Sequence, residues 1–151
     1  MSALKVIIYA ANQTLRVVQG GQSIFEAPVS TSQFGLGFEP GSLKTPTGTF
    51  KVAEKIGEGA PHGTVFKGRI PVNQPHNWQD EADLITSRIL WLDGLDQKNT
   101  NTKERYIYIH GTNHERLVGQ PTSHGCVRMR NEDVIRLFNL VEAGTQIEII
   151  G

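Results

Sequence analysis

The single cysteine of this chain, Cys126, lies in a stretch whose residue types together suit acyl transfer. The stretch is PTSHGCVRMR over residues 121–130, with His124 and Gly125 directly before the cysteine and Arg128 two positions after it. A thiol at neutral pH is only a few per cent ionised, and the thiolate is the nucleophile. A catalytic cysteine therefore needs a base close to its sulfur.

Two histidines are candidates for that base. His124 is two positions before Cys126, so in extended backbone both side chains leave the same face. His110 ends the apolar run RYIYIHG over residues 105–111, and strand ends over a rigid sheet are favoured places for functional groups. The carbonyl of Gly111 could accept an imidazole N–H and so fix the tautomer of a base at position 110. The residue types by themselves leave both histidines open.

Two neighbours of the cysteine suit the rest of such a reaction. Gly125 removes bulk, so that a substrate carbonyl can approach two consecutive backbone N–H groups, which is the chemistry of an oxyanion hole. Arg128 is expected on the cysteine's side of a strand, where its guanidinium could form a forked pair with a substrate carboxylate.

The elements that must position these residues are mostly strands. Runs rich in β-branched and aromatic residues, separated by glycine, proline and polar residues, predict strands at 4–9, 14–18, 22–30, 49–56, 64–72, 83–92, 105–111 and 145–150. A loop is predicted over 73–82, with Trp78 as a possible cover of a cleft. One helix is predicted near 131–143, with Asn131 as its N-cap and Gly144 as its stop. We therefore predict a mostly β protein, a β-sandwich with one C-terminal helix, as a single domain over residues 1–151.

Charge and hydropathy narrow the classes of function. Fifteen basic residues balance fifteen acidic ones, and no basic stripe of the kind typical of nucleic-acid binding is visible. No run approaches the ~20 apolar residues that span a bilayer. The N-terminus has no basic region before its apolar residues and is interpreted as the first strand of the domain. We expect a cytoplasmic protein, with a periplasmic one as the alternative if a signal was removed, and we expect a monomer that binds neither nucleic acid nor membrane.

Three segments of this sequence resemble the L,D-transpeptidase catalytic domain family. They are HGT at residues 110–112, SHGCVRM at 123–129 and TPTGTF at 45–50. The histidine, the gap after it and the Ser-His-Gly-Cys block all match the family's signature. The opening strands match as well, so the resemblance covers nearly the whole chain. The sequence departs from one common version of the pattern, which has asparagine where Arg128 stands.

The resemblance implies a β-sandwich and a cysteine acyl transfer on peptidoglycan tetrapeptide stems, without a cofactor or a metal. It implies Cys126 as the nucleophile, His110 as the base and the Gly111 carbonyl as the group that orients the base. It also implies that Ser123, His124 and Gly125 shape the oxyanion side of the site. The thiolate would attack the carbonyl of the third stem residue at its L-centre and expel the terminal D-alanine.

The acyl acceptor and the class of function have alternatives. An unexported enzyme would meet free or nucleotide-linked stems, so we favour a cytoplasmic L,D-carboxypeptidase of muropeptide recycling over an exported, cross-linking L,D-transpeptidase. Cys126 could instead be a buried structural thiol. A zinc set of His110, His114, His124 and Cys126 could hold a non-catalytic module together, although the spacing is unusual for structural zinc. A wall-peptide-binding module that keeps the fold without turnover is the remaining alternative.

Overall fold

The structure, a computed structural model, describes residues 3–72 and 82–151. The interpretation of 73–81 as part of a loop, with Trp78, falls outside the described residues. The strands are β1 Lys5–Tyr9, β2 Thr14–Gln19, β3 Gln22–Pro28, β4 Gly48–Ile56, β5 Val65–Lys67, β6 Ile70–Val72, β7 Ile85–Gly94, β8 Tyr108–Thr112, β9 Val127–Met129 and β10 Gln146–Ile150. One α-helix, α1 (Asn131–Leu140), and two short 3-10 turns, Gln97–Asn99 and Glu115–Leu117, complete the description. The predicted mostly β fold with one C-terminal helix is confirmed.

The strands pair in the order β3-β2-β1-β10-β4-β7-β5-β6, while β8 pairs with the other edge of β7 and β9 pairs with β8. Two pairings are parallel, β1 with β10 and β8 with β9, and the others are antiparallel. Side chains of β3, at one end of this order, and of β9, at the end of the β7–β8–β9 branch, share one apolar core with α1. The sheet must therefore curl around that core, which gives the layered architecture that the sequence predicted.

Two predicted strands differ from the structure. The segment 64–72 is a hairpin rather than one strand, because Gly68 (φ 56°) and Arg69 (φ 66°) both adopt the left-handed conformation that a two-residue turn requires. The strand predicted over 105–111 begins only at Tyr108, since Tyr106 also has a positive φ of 57°. His110 consequently lies in the middle of β8 rather than at its end.

The helix is shorter than the predicted 131–143. It stops at Leu140, because Val141 is extended and its carbonyl accepts Lys55 Nζ at 2.8 Å. Gly144 does have a left-handed φ of 93°, but it lies in the turn beyond, where its N–H donates to Val52 at 2.7 Å. The chain thus leaves the helix to return to the sheet.

Asn131 is the first helical residue, and the N-cap position belongs to Arg130, which corrects the predicted cap. The buried Asn131 amide turns toward β7 instead. Its Oδ1 accepts the hydroxyls of Thr86 (2.5 Å) and Ser87 (2.6 Å), and its Nδ2 donates to the Thr112 carbonyl (2.9 Å). One side chain therefore ties α1 to β7 and β8.

The same contacts surround an irregularity in β7. The register of β7 against β8 shifts between Thr86 and Ile89, and Ser87 within the shift has a φ of 68°. Bulges of this kind locally re-aim side chains and are common beside active sites. The bulge lies opposite His110 and Gly111.

Replacement of Asn131 by alanine should lower the free energy of unfolding by about 2–3 kcal/mol, because two buried hydroxyls and a carbonyl lose their partner. Urea denaturation followed by circular dichroism measures this loss. The matched control is Asn139→Ala on the exposed face of the same helix, which should change the free energy by less than about 0.5 kcal/mol. Equal effects of the two substitutions would contradict the role given to Asn131.

Candidate active site

The parallel pairing of β8 with β9 sorts the side chains of both strands onto two faces. Ile109, Val127 and Met129 enter the large core. The side chains between them in sequence point away from this core, on the opposite face of the two strands. His110 is paired there with Arg128. Cys126, directly before β9, lies on the same face and packs against a smaller apolar cluster of Phe66, Ile89 and Tyr108. The register therefore makes Cys126 and His110 diagonal neighbours.

The sulfur of Cys126 is held by backbone groups. It accepts the Tyr108 N–H at 3.4 Å and donates to the Tyr106 carbonyl at 3.4 Å. The half-buried Cys126 side chain forms part of a cleft of about 290 Å³. The described residues lining this cleft are Pro40, Gly41, Leu43, Glu104, Arg105, Tyr106, Ile107, His124 and Cys126.

Desolvation dominates the ionisation of this thiol. The pKa of Cys126 is raised to about 11, mainly by burial, and the nearby Asp83 carboxylate contributes to the rise. The Tyr108 N–H and the guanidinium groups of Arg105 and Arg128 act in the opposite direction without overcoming burial. The resting sulfur is therefore a thiol, and its proton must leave during the reaction.

The His110 imidazole is buried, with 2% of its surface exposed, and its orientation is fixed. Its Nδ1 lies 2.6 Å from the Gly111 carbonyl oxygen. A carbonyl only accepts hydrogen bonds, so Nδ1 carries the proton and Nε2 keeps its lone pair. Burial lowers the pKa of His110, and Arg128 lowers it too, while Asp83 and the Gly111 carbonyl raise it. A neutral imidazole with an unprotonated Nε2 can accept the thiol proton.

No hydrogen bond joins His110 to Cys126 among the described residues, since the thiol donates to Tyr106 instead. A rotation of the cysteine side chain would turn the sulfur from this carbonyl toward the imidazole. Catalytic hydrogen bonds are often long or unformed before substrate binds. The role of His110 as base accordingly stays a prediction, which its tautomer and its place on the shared face support.

Crowding requires glycine at position 111, although any residue there could supply the carbonyl that faces His110. A Cβ at this position would lie 2.5 Å from the Thr86 carbonyl oxygen and 2.7 Å from Asn131 Oδ1. Contacts that short do not occur, so any side chain would push β8 away from the bulge of β7. The packing that holds the Gly111 carbonyl against His110 Nδ1 therefore excludes every residue but glycine at position 111.

Ser123 and Gly125 build the turn that presents Cys126. The Ser123 hydroxyl donates to the Cys126 carbonyl at 2.6 Å and accepts the Gly125 N–H at 3.3 Å. Gly125 has a φ of 124°, a region that side chains disfavour. The Thr45 hydroxyl donates to the Gly125 carbonyl at 2.9 Å, so the TPTGTF segment contributes to the architecture of the turn. The part of this turn in binding an oxyanion stays a prediction.

His124 and Arg128 occupy very different surroundings. The His124 side chain is 54% exposed at the rim of the cleft, 3.4 Å from Gln33 Nε2 and 4.0 Å from an Asp83 oxygen. Arg128 is only 2% exposed, and its guanidinium pairs with Asp83 at 3.1 Å and donates to the Thr122 hydroxyl. With both terminal nitrogens bound inside the protein, Arg128 holds the site together, and these contacts do not favour the predicted contact with a substrate carboxylate.

Sequence reasoning missed Asp83, Thr112 and the backbone of Tyr106 and Tyr108. Asp83 was interpreted only as the beginning of a strand. In the structure its Oδ1 receives both Arg128 Nη1 and the Thr112 hydroxyl, at 3.1 and 3.3 Å. Nothing in the local sequence marks an aspartate whose partners lie on two other strands.

Residues 3–72 and 82–151 contain no group of three or more histidine, cysteine or acidic side chains arranged to hold a metal. None of the helices within these ranges has the length and apolarity to cross a membrane.

A family model described as the L,D-transpeptidase catalytic domain matches residues 4–149. The chain therefore belongs to the L,D-transpeptidase catalytic domain family, as its motifs predicted.

Relatives in two bacteria match shorter segments. The Bacillus subtilis protein YqjB, whose name places it among candidate L,D-transpeptidases, is 45% identical over 60 residues, or 39% of this chain and 32% of its own. The Escherichia coli K12 protein named probable L,D-transpeptidase YbiS is 50% identical over 46 residues, or 30% of this chain and 15% of its own. The matched segments thus span a third or less of these relatives.

Solved structures share the fold. An L,D-transpeptidase from Mycobacterium smegmatis superimposes with a TM-score of 0.66 at 18% identity, covering 99% of this chain and 59% of that one. L,D-transpeptidase 3 from Mycobacterium tuberculosis, in complex with a faropenem-derived adduct, gives a TM-score of 0.65 at 17% identity, covering 99% and 61%. At these identities the likeness establishes the fold alone.

The raised pKa of Cys126 predicts slow alkylation at neutral pH. The iodoacetamide reaction of the folded protein should accelerate about tenfold per pH unit from pH 7 to pH 10, because the thiolate fraction grows at that rate below a pKa of about 11. Intact-protein mass spectrometry counts the adduct, and Cys126 is the only thiol.

The control for this measurement is the same protein in guanidinium chloride, where the rate should level off near the ordinary thiol pKa of ~8.5. A folded-state rate that levels off below pH 8 would show a stabilised thiolate and contradict the resting thiol.

Proposed function

We propose that this chain catalyses acyl transfer through Cys126 at the L,D peptide bond of peptidoglycan tetrapeptide stems. The observation that carries the proposal is the His110 imidazole, whose Nδ1–H donates to the Gly111 carbonyl at 2.6 Å, so that Nε2 is unprotonated, and whose side chain shares a face with Cys126. Family membership supplies the substrate class. It also supplies the bond between the third residue and the terminal D-alanine as the one that breaks.

The first half of the reaction forms a thioester. The Cys126 proton passes to His110 Nε2 as the sulfur attacks the stem carbonyl, because neither a free thiolate nor an imidazolium is favoured at rest. The developing oxyanion is assigned to backbone N–H groups beside Cys126 other than those of Ser123 and Gly125, which donate to the Thr31 carbonyl and the Ser123 hydroxyl. Loss of one such donor typically costs roughly 3–4 kcal/mol. The tetrahedral intermediate then expels the D-alanine amine, which takes the proton from the imidazolium.

The second half releases the acyl group to an acceptor. Nε2 removes a proton from the incoming nucleophile, which attacks the thioester carbonyl, and the departing sulfur regains a proton from the imidazolium. Water as nucleophile yields a tripeptide, whereas an amine yields a cross-link or an exchanged stem.

We propose water as the acceptor, which makes the protein an L,D-carboxypeptidase that trims stems in cytoplasmic muropeptide recycling. The cleft beside Cys126 supports this choice, since about 290 Å³ lies just below the usual range of ligand sites and suits one stem better than two. The second candidate is an exported L,D-transpeptidase that forms cross-links, and the names of the relatives favour its transpeptidase activity.

Products formed from a disaccharide-tetrapeptide, with and without D-methionine, test the function and the acceptor together. We expect loss of one D-alanine to give the tripeptide, without dimers or D-methionine exchange, as measured by liquid chromatography and mass spectrometry. The Cys126→Ala variant should release no D-alanine, because the nucleophile is gone.

Dimers or exchanged stems would overturn water as the acceptor and favour the transpeptidase. Release of D-alanine by Cys126→Ala at the rate of the unsubstituted protein would contradict the cysteine mechanism as a whole.

A further inference from the structure

One carboxylate next to the site has no place in the mechanism so far. Asp83, just before β7, is 23% exposed, and its Oδ1 binds Arg128 Nη1 at 3.1 Å and the Thr112 hydroxyl at 3.3 Å. Its Oδ2 lies 4.0 Å from His124 Nδ1. Asp83 therefore joins the segment before β7 to β8, to β9 and to the rim of the cleft.

The two anchors of Asp83 flank His110. Thr112 is two residues beyond His110 in β8, so both side chains leave the same face. Arg128 is the register partner of His110 on β9. A carboxylate bound to both anchors at once is held beside the imidazole, on the face that also carries Cys126.

The negative charge of Asp83 matters because two positive charges would otherwise lie side by side at Arg128 and protonated His110. Arg128 is buried and positive, and a second positive charge next to it is unfavourable where water is excluded. When His110 takes the Cys126 proton, the S–H bond breaks, an Nε2–H bond forms, and a thiolate and an imidazolium result. The imidazolium arises beside Arg128, and Asp83 is the acidic group whose interaction raises the pKa of His110.

We propose that Asp83 is a positioning residue of the acyl-transfer site, which holds Arg128 and Thr112 on either side of His110 and offsets the charge of Arg128 when the imidazole is protonated. The inference rests on the proposed function and deepens it. Asp83 takes no proton itself and touches no reacting atom.

Several charged and titratable groups face the Asp83 carboxylate or the two groups whose pKa it affects. They are Arg128 from β9, His124 and Cys126 from the segment before β9, and His110 from β8, with Arg105 facing the cysteine from the loop before β8. Loss of the Asp83 charge should lower the pKa of His110, since Arg128 then acts unopposed. It should lower the pKa of Cys126 as well, because Asp83 disfavours the thiolate.

The test compares Asp83→Asn, Asp83→Glu and the unsubstituted protein in D-alanine release across pH. Asparagine keeps an oxygen for Arg128 and removes only the charge, so kcat should fall about tenfold to a hundredfold while KM changes less than about twofold. The acid limb of the kcat/KM profile should move to lower pH, because the base loses its proton more easily. Asp83→Glu, which keeps the charge, should recover part of the rate and restore the limb.

The matched control is Asp93→Asn, a carboxylate at the far end of β7, which should leave rate and profile unchanged. If Asp83 only supports the fold, Asp83→Asn would lower kcat without moving the acid limb of the pH profile. If Asp83 contacts substrate, Asp83→Asn would change KM alone. Either result overturns the inference, as does an unchanged rate.

A second readout separates this inference from the proposed function. Iodoacetamide alkylation of folded Asp83→Asn should be several-fold faster at pH 8 than that of the unsubstituted protein, because the pKa of Cys126 falls. If the unsubstituted protein releases no D-alanine, the proposed function fails, and alkylation alone then decides on Asp83. Equal alkylation rates would show that Asp83 does not act on the site.

Discussion

The parallel pairing of β8 with β9 decides which side chains meet in this protein. It aligns His110 with Arg128 and places Cys126 diagonally across from the imidazole. A shift of β9 by one residue against β8 would turn Cys126 into the core and leave His110 on the opposite face, since neighbours on a strand face opposite ways. The close approach of Gly111 to the bulge of β7 and the Asn131 contacts to β7 and β8 hold this register from the other side. The site is thus a consequence of how two short strands are packed.

The same packing sets the resting state of the reactive pair. Burial favours the uncharged forms of both groups, so the proton stays on the sulfur and the imidazole stays neutral. A pair of this kind reacts weakly with solvent-borne electrophiles. On the proposed mechanism it becomes reactive when a bound carbonyl turns the thiol toward His110 and draws charge into the oxyanion. Selectivity for a bound stem would then follow from desolvation together with the shape of the cleft.

Much of the fold and the centre of the site could be predicted, because they depend on local patterns. Alternating apolar residues predicted most strands, and the Ser-His-Gly-Cys block located the cysteine. The Gly111 carbonyl is adjacent to His110, so its contact with the ring needed no tertiary information. The β5–β6 hairpin was missed because Gly68-Arg69 is not a typical pair for a turn with two left-handed residues. The burial of Arg128 and its pairing with Asp83 could not be predicted, because charged residues are rarely buried unless paired, and this pairing depends on strand order.

The rate at which imipenem acylates Cys126 tests the central claim, the activation of the sulfur by His110, without requiring turnover. His110→Asn keeps an amide N–H near the position of Nδ1 and removes the base, and intact-protein mass spectrometry measures the adduct. The account predicts an adduct on Cys126 that forms about a hundredfold or more slowly in His110→Asn, the usual scale of general-base catalysis. Equal rates in the variant and the unsubstituted protein would contradict it.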